Sequence, residues 1–220
     1  MVLITGVDEA GRGCVIGPLV IAAVSVEDRT VQKLVEAGVK DSKRLSPQSR
    51  TRIASSIRRI AKLVETRRIS AGCIDRLRAR GISLNEIEAM LIGSILSKHP
   101  RGVFYVDSVD KNCERFRMMM LRHAPCFKGI LIVRNYLDES NPMVGAASII
   151  AKVERDRAVK NLLRKAGLPE CSGYSSDPRT ISIIEQLLRS NSKISMLRRS
   201  WSTVGRIGAS LNQDSLKKFL

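Results

Sequence analysis

The sequence predicts an α/β protein built on a mixed sheet. Three observations carry that prediction. Short runs rich in valine and isoleucine alternate with segments whose apolar residues recur at helical spacing. The first two runs are close in sequence and suit a hairpin; the later ones are separated by helical segments and suit parallel pairing. A chain of 220 residues that is 44% hydrophobic and 27% charged can bury one core of ordinary size.

The elements follow in order. Residues 2–7 are a short apolar run that ends in acids and glycines. Residues 15–26, with Gly17 and Pro18 near their start, read as the second strand. A turn and a short helix fill 27–39. Ser46 followed by Pro47 is the pattern of a helix cap and first helical position, and Ile53, Ile57, Ile60 and Ala61 then share a face. Residues 63–69 alternate apolar and charged, as a third strand does. Ser83 and Glu86 have capping-box spacing and open a helix with Ile87, Leu91 and Ile95 inward. Residues 103–107 are a buried-type strand that ends in Asp107, and 129–133 are another. Pro142 starts a long helix through Ala146, Ile149, Ile150 and Val153 toward Leu163. A further helix runs from Pro178 through Leu188.

Composition narrows the function. Thirty-eight Lys and Arg against 21 Asp and Glu give a net charge of +17, which points to a polyanionic partner, nucleic acid first. No apolar run approaches the roughly 18 residues of a membrane span, and the first residues lack the basic start of a signal peptide. Cys14, Cys73, Cys113, Cys126 and Cys171 are odd in number and widely spaced, against a disulfide framework or a zinc site. A cytoplasmic protein with free thiols is expected.

Four acids stand out against this basic background. Asp8 and Glu9 follow the first strand, Asp107 ends the strand at 103–107, and Asp138 lies between the strand at 129–133 and the helix at Pro142. An Asp after a strand is commonly a turn residue or a cap. Three strands that each deliver an acid at the C-terminal side, where open α/β sheets bind ligands, make a stronger case together. Clustered carboxylates repel, and a divalent cation removes the repulsion. Oxygen ligands favour Mg²⁺ or Mn²⁺. Two such ions roughly 3.5–4 Å apart can activate a water and stabilise the leaving oxygen of a phosphodiester. Adjacent strand residues point to opposite faces, so Asp8 and Glu9 share a site only if the chain bends there; Gly11 and Gly13 permit a bend.

The ordered motifs resemble those of type 2 ribonuclease H (ribonuclease HII), in its archaeal-like branch. They are Asp8-Glu-Ala-Gly-Arg-Gly13 with Gly17-Pro-Leu19, Lys40-Asp-Ser-Lys43 with Leu45, and Tyr105-Val-Asp-Ser108. Ala146-Ala-Ser-Ile-Ile-Ala-Lys-Val153 with Arg155-Asp156 follows, then Ser172-Gly-Tyr174 with Asp177-Pro-Arg179, and Arg199-Ser-Trp-Ser-Thr-Val204. The resemblance spans essentially the whole chain. It implies a ribonuclease H-like mixed sheet flanked by helices at 1–165, a helical C-terminal region at 166–212 and a tail at 213–220. It implies hydrolysis of RNA in RNA–DNA hybrids and incision 5′ to ribonucleotides embedded in duplex DNA, with 5′-phosphate and 3′-hydroxyl products, by a monomer.

Residue roles come with the resemblance. Asp8, Glu9, Asp107 and Asp138 map onto the metal-binding acids, with Glu139 the alternative to Asp138. Gly11, Arg12 and Gly13 resemble the loop whose backbone reads the 2′-hydroxyl at an RNA-to-DNA junction, where glycine allows close approach. Tyr174 matches the tyrosine that packs on the next sugar, and Ser175 stands where relatives often carry Pro. Lys40 and Lys43 are either phosphate contacts or solvated loop residues. Lys152 either orients an acid or phosphate or is an exposed helix lysine. His99 and His123 are expected on the surface, Met118–Met120 in the core, and Trp201 as a packed anchor sooner than a base-stacking residue.

In the tail, Gln213, Leu216 and Phe219 make a Q-x-x-L-x-x-F pattern similar to the peptide that docks on the replication sliding clamp. The alternative is an amphipathic end packed on its own domain. Two rival functions remain: a DNA-acting nuclease of the same fold, against which Gly11–Gly13 and Tyr174 argue, and a non-catalytic hybrid binder, against which the four acids argue.

Overall fold

The structure is a computed structural model that describes residues 3–39, 45–190 and 195–217. In chain order its elements are β1 (Leu3–Ala10), β2 (Leu19–Glu27), α1 (Val31–Glu36), α2 (Pro47–Ile60), β3 (Leu63–Ile69), α3 (Ala71–Ala79), α4 (Leu84–Lys98) and β4 (Val103–Asp107). They continue with α5 (Cys113–Arg122), β5 (Ile130–Arg134), α6 (Leu137–Ser140), α7 (Pro142–Lys165), α8 (Pro178–Arg189) and α9 (Ser202–Lys217). The mixed sheet flanked by helices is the predicted class.

The chain divides into two compact units. One comprises residues 1–10, 20–68 and 83–154; the other comprises 11–19, 69–82 and 155–220. The first holds a five-stranded sheet of order β3-β2-β1-β4-β5. β1 and β2 are antiparallel, as a hairpin requires, and β1, β4 and β5 are parallel. Alternation buries both faces. Val7, Ile21, Ala23, Phe104, Val106 and Leu131 pack against α4 and α5. Ala10, Ala22, Val24 and Val26 pack against α2 and α7 on the other face.

Local signals place several of these elements. The Ser46 hydroxyl accepts from the Ser49 amide at 3.2 Å, with Pro47 in the first turn of α2. Ser83 likewise accepts from the Glu86 amide at 3.1 Å, but Glu86 does not return the bond, because its carboxylate is engaged by His123 and Arg122. Gly6 sets the spacing of α7. A β-carbon there would lie 2.1 Å from the Met143 carbonyl group, so only glycine lets the helix start rest on β1.

Several expectations change. β1 runs three residues past Val7, since Asp8, Glu9 and Ala10 pair with Ala22, Ile21 and Val20 of β2. The two acids therefore lie within the strand rather than after it. Val15 and Ile16 leave the second strand and enter the core of the second unit with α8 and the end of α7. The histidines are half-buried rather than on the surface, each paired to a glutamate: His99 with Glu65 at 2.7 Å and His123 with Glu86 at 2.6 Å. Of the methionine run only Met120 is fully buried, and Met118 is exposed, because the run lies on α5 and turns round its axis.

The second unit is built on α3, the end of α7, α8 and α9. The N-terminal end of α8 is capped by Asp177, whose carboxylate accepts from the Arg179 amide at 3.0 Å and the Ser172 amide at 2.8 Å. Among the described residues no helix is long and apolar enough to cross a membrane.

Candidate active site

The acids occupy the C-terminal edge of the parallel strands in the first unit. The β1–β4 register ends at Val7 with Val106, so Asp8 and Asp107 are the next residues on neighbouring strands. Both continue the face opposite Val7 and Val106, the face covered by α2 and α7. The α7 contact at Gly6 lies on the same face as Asp8, two residues before it. Ser148, one turn and more along α7, is wholly buried.

Asp8 is buried, and its carboxyl is held well above the usual carboxylate range. Burial is the main cause, and the neighbouring Glu9 carboxylate adds to it. The strand keeps its extended course, yet the Asp8 and Glu9 carboxyls are hydrogen-bonded to each other. The Ser148 hydroxyl makes no other hydrogen bond and sits close enough to Asp8 to oppose the shift.

Asp107 is fixed from the other side. Its Oδ1 accepts from the Leu137 amide at 2.8 Å, tying the end of β4 to α6, which carries Asp138. Asn135 braces the same region by donating to the Ser108 carbonyl at 2.9 Å and the Asp110 carbonyl at 3.0 Å. Asp138 is buried, and Glu139 is exposed. Tyr136, just before α6, adopts a left-handed conformation with φ of 61° and is 73% exposed.

The structure thus joins Asp8 to Glu9, and Asp107 to the turn bearing Asp138. Among the described residues it draws no three His, Cys, Asp or Glu side chains into a closed metal-ligand set. The donors are all oxygen, which suits Mg²⁺ or Mn²⁺. The Glu9 carboxylate beside buried Asp8 crowds negative charge there, and a cation would relieve it. Lys152 is half-buried on α7, four residues and one turn beyond Ser148. Lys40 and Lys43 lie outside the described residues.

In the second unit the Gly11–Gly13 segment and Tyr174 come together. Cys14 and Tyr174 form an antiparallel backbone bridge, and a β-carbon on Gly13 would lie 3.9 Å from the Tyr174 ring. Gly11 has φ of +94°, and a β-carbon there would strike the Pro18 carbonyl oxygen at 2.7 Å. Gly173 anchors the tyrosine turn: its carbonyl accepts from the Val15 and Ile16 amides at 2.8 and 3.1 Å. Tyr174 is half-buried, and burial with the adjacent Cys14 pushes its hydroxyl up to about 12, so the phenol stays a neutral donor.

Two arginines organise this unit: Arg155, which the motif comparison named without giving it a role, and Arg198, which sequence reasoning did not single out. Arg198 is wholly buried; its Nε donates to the Gly17 carbonyl at 3.1 Å and its Nη1 to the Arg12 carbonyl at 3.1 Å. Burial lowers its pKa to about 10, which still leaves it charged at neutral pH. Arg155 is also buried and lies over the Tyr174 ring, 4.6 Å from its centroid. Trp201 is packed between Arg198 and Arg78, at 4.8 and 5.6 Å, as an anchor. Gln213 is exposed on α9, which continues through Lys217 and so includes Leu216, whereas Phe219 lies outside the described residues.

The chain is similar to known proteins along nearly its whole length. The family model for ribonuclease HII matches residues 5–204. A ribonuclease HII of Methanothermobacter thermautotrophicus is 44% identical over 204 residues, covering 91% of this chain and 97% of the relative. The crystal structure of ribonuclease H2 from Pyrococcus horikoshii OT3 superposes with a TM-score of 0.84 at 34% identity, covering 96% of this chain and 99% of that one. The ribonuclease HII of Archaeoglobus fulgidus, solved as a complex with PCNA, gives 0.82 at 38% identity over 93% and 96% of the two chains.

Proposed function

Because the chain belongs to the ribonuclease HII family, and is on that ground a metal-dependent endonuclease of the ribonuclease H type, we propose that it hydrolyses RNA in RNA–DNA hybrids and incises 5′ to single ribonucleotides embedded in duplex DNA. The products would carry 5′-phosphate and 3′-hydroxyl ends. The observation that carries the catalytic part is the placement of buried Asp8 beside Asp107 at the C-terminal edge of neighbouring parallel strands, with Asp107 tied to the turn that bears buried Asp138. Asp8, Glu9, Asp107 and Asp138 would hold two divalent cations, Mg²⁺ or Mn²⁺, which when bound supply an activated water and stabilise the leaving oxygen. Asp138 is preferred to Glu139 for the fourth place because it is the buried one.

The protein's own groups do the rest. Gly11, Arg12 and Gly13 bring backbone close to the sugar at an RNA-to-DNA junction, and Tyr174 packs on the following deoxyribose while remaining a neutral donor to the 2′-hydroxyl. Lys152, and Lys40 and Lys43, bind phosphates. The net charge of +17 concentrates the polyanion around the acids. The Archaeoglobus relative was solved with PCNA, and this chain carries Gln213, Leu216 and Phe219 in the Q-x-x-L-x-x-F pattern of its tail. They would dock on a replication sliding clamp, and deletion of 213–220 should abolish clamp binding while leaving turnover of free substrate intact.

The test compares three end-labelled duplexes: all DNA, DNA with one internal ribonucleotide, and a long RNA–DNA hybrid. Each is run with Mg²⁺, with Mn²⁺ and with EDTA, beside the Asp107→Asn variant. One cut 5′ to the ribonucleotide and degradation of the hybrid, both lost in EDTA and in the variant, are expected. Cleavage of the all-DNA duplex at a comparable rate would overturn the reading.

A further inference from the structure

Arg155 links the Tyr174 turn to the residues at both ends of the Gly11–Gly13 loop in the second unit. Its Nη1 donates to the Ser172 carbonyl at 2.9 Å and to the Cys14 sulfur at 3.3 Å. Its guanidinium covers the Tyr174 ring, and its Nη2 pairs with Asp156 Oδ1 at 2.9 Å. Its stem lies under the loop start, where a β-carbon on Gly11 would come 3.1 Å from Cγ. The Cys14 thiol is in turn hydrogen-bonded to the Tyr174 hydroxyl. One side chain thus spans the turn before the tyrosine, the ring itself, and both residues that flank Arg12 and Gly13.

This arrangement is a costly way to fill space. The Nε of Arg155 is buried and makes no hydrogen bond, and an apolar side chain of similar volume would avoid desolvating a guanidinium. What an apolar side chain cannot do is hold a ring by cation–π attraction while donating to the neighbouring turn. We propose that Arg155 is a positioning residue that fixes the Tyr174 ring against the Gly11–Gly13 loop and so sets the enzyme's preference for an RNA-to-DNA junction over an uninterrupted hybrid. The proposal rests on the reading of that loop and Tyr174 as the junction sensor.

A displaced ring should mis-seat the sugar without loosening the phosphate contacts that carry affinity. The loss should therefore fall on kcat for the embedded ribonucleotide, with KM little changed. Arg155→Lys keeps the charge and most of the stem but loses the planar face. It should lower the ratio of kcat/KM on the embedded ribonucleotide to that on the hybrid by about five- to tenfold, the range a desolvated cation–π contact supports. Cys14→Ala is a milder variant that removes only the sulfur, and should lower the ratio by about two- to threefold.

The decisive arm is a double-variant cycle with Tyr174→Ala. If Arg155 acts through the ring, adding Arg155→Lys to Tyr174→Ala changes the ratio no further. An unchanged ratio in Arg155→Lys that melts like the wild type, or additive losses in the double variant, would overturn the proposal. An unchanged ratio in Tyr174→Ala alone would overturn the junction reading beneath it, and is distinguishable because it appears without any change at Arg155.

Discussion

Replacing Gly6 by alanine should harm both stability and turnover, although Gly6 has no side chain and touches no substrate. The new methyl would lie 2.1 Å from the carbonyl carbon and oxygen of Met143 and 2.5 Å from the Val144 nitrogen, all backbone atoms of α7. Ordinary contact is about 3.4 Å or more, so the helix start must retreat by roughly 1.3 Å. Overpacking of this kind costs about 2–3 kcal/mol, which for a chain of this length lowers the melting temperature by about 4–12 °C. The same shift disturbs the packing of α7 over Asp8, and a misplacement near 1 Å passed on to a reacting centre costs roughly a hundredfold in rate. Thermal unfolding and single-turnover cleavage of a hybrid measure the two effects. Gly208→Ala is the control: nothing lies within 4 Å of a β-carbon there, on α9, and the variant should gain about 0.5–1 kcal/mol through helix propensity. Equal melting temperatures and rates for the two variants would refute the idea that Gly6 sets the spacing of the site.

Three further outcomes follow from the same physics. Hybrid affinity should fall by about tenfold or more between 50 and 200 mM salt, read as the slope of log Kd against log salt, because a chain of this charge binds largely by counterion release. Asp177→Asn should lower the melting temperature at pH 7. The Ser172 amide and Arg179 hold the Asp177 carboxyl well below its ordinary range, so its contribution is present above the unfolded carboxylate pKa and disappears as pH falls through the folded value; the difference between variant and wild type should shrink in acid. Tyr136→Asn should stabilise the protein by about 0.5–1 kcal/mol in a denaturant titration, since asparagine tolerates the left-handed conformation that tyrosine occupies there.

Much of the fold was legible because local chemistry and tertiary packing agree. Residues 63–69 and 103–107 are strands with the boundaries read from sequence, and the caps at Ser46 and Ser83 stand where their spacing placed them. Helices α3 and α5 escaped notice because each buries only two side chains, Ala71 and Ile74 or Phe116 and Met120, too few to show a period. Helix α9 was read only as a helical region, since Gly205 and Gly208 weaken its local signal. Asp8 and Glu9 were found by their chemistry, but the strand was ended too soon, because acids at the end of a run look like a loop when pairing to β2 is unknown. The burial of the two arginines was invisible for a different reason. Nothing in the sequence says which of 38 basic residues turn inward; only the carbonyls of Gly17, Arg12 and Ser172, brought near by the fold, single out Arg198 and Arg155.

The central claim is that the acids serve chemistry rather than architecture. It is tested most directly by measuring binding and turnover of one labelled RNA–DNA hybrid with the Asp8→Asn variant, binding in EDTA and turnover in Mg²⁺. Asparagine keeps the shape, removes the charge from the Asp8–Glu9 pair and cannot ligate as a carboxylate does. Turnover should fall by about a hundredfold or more, the scale of losing a principal electrostatic group at a reacting centre, while the dissociation constant stays within about threefold of the wild type, since phosphate contacts carry affinity. A loss of binding that matches the loss of turnover, or turnover that survives the substitution, would contradict the account.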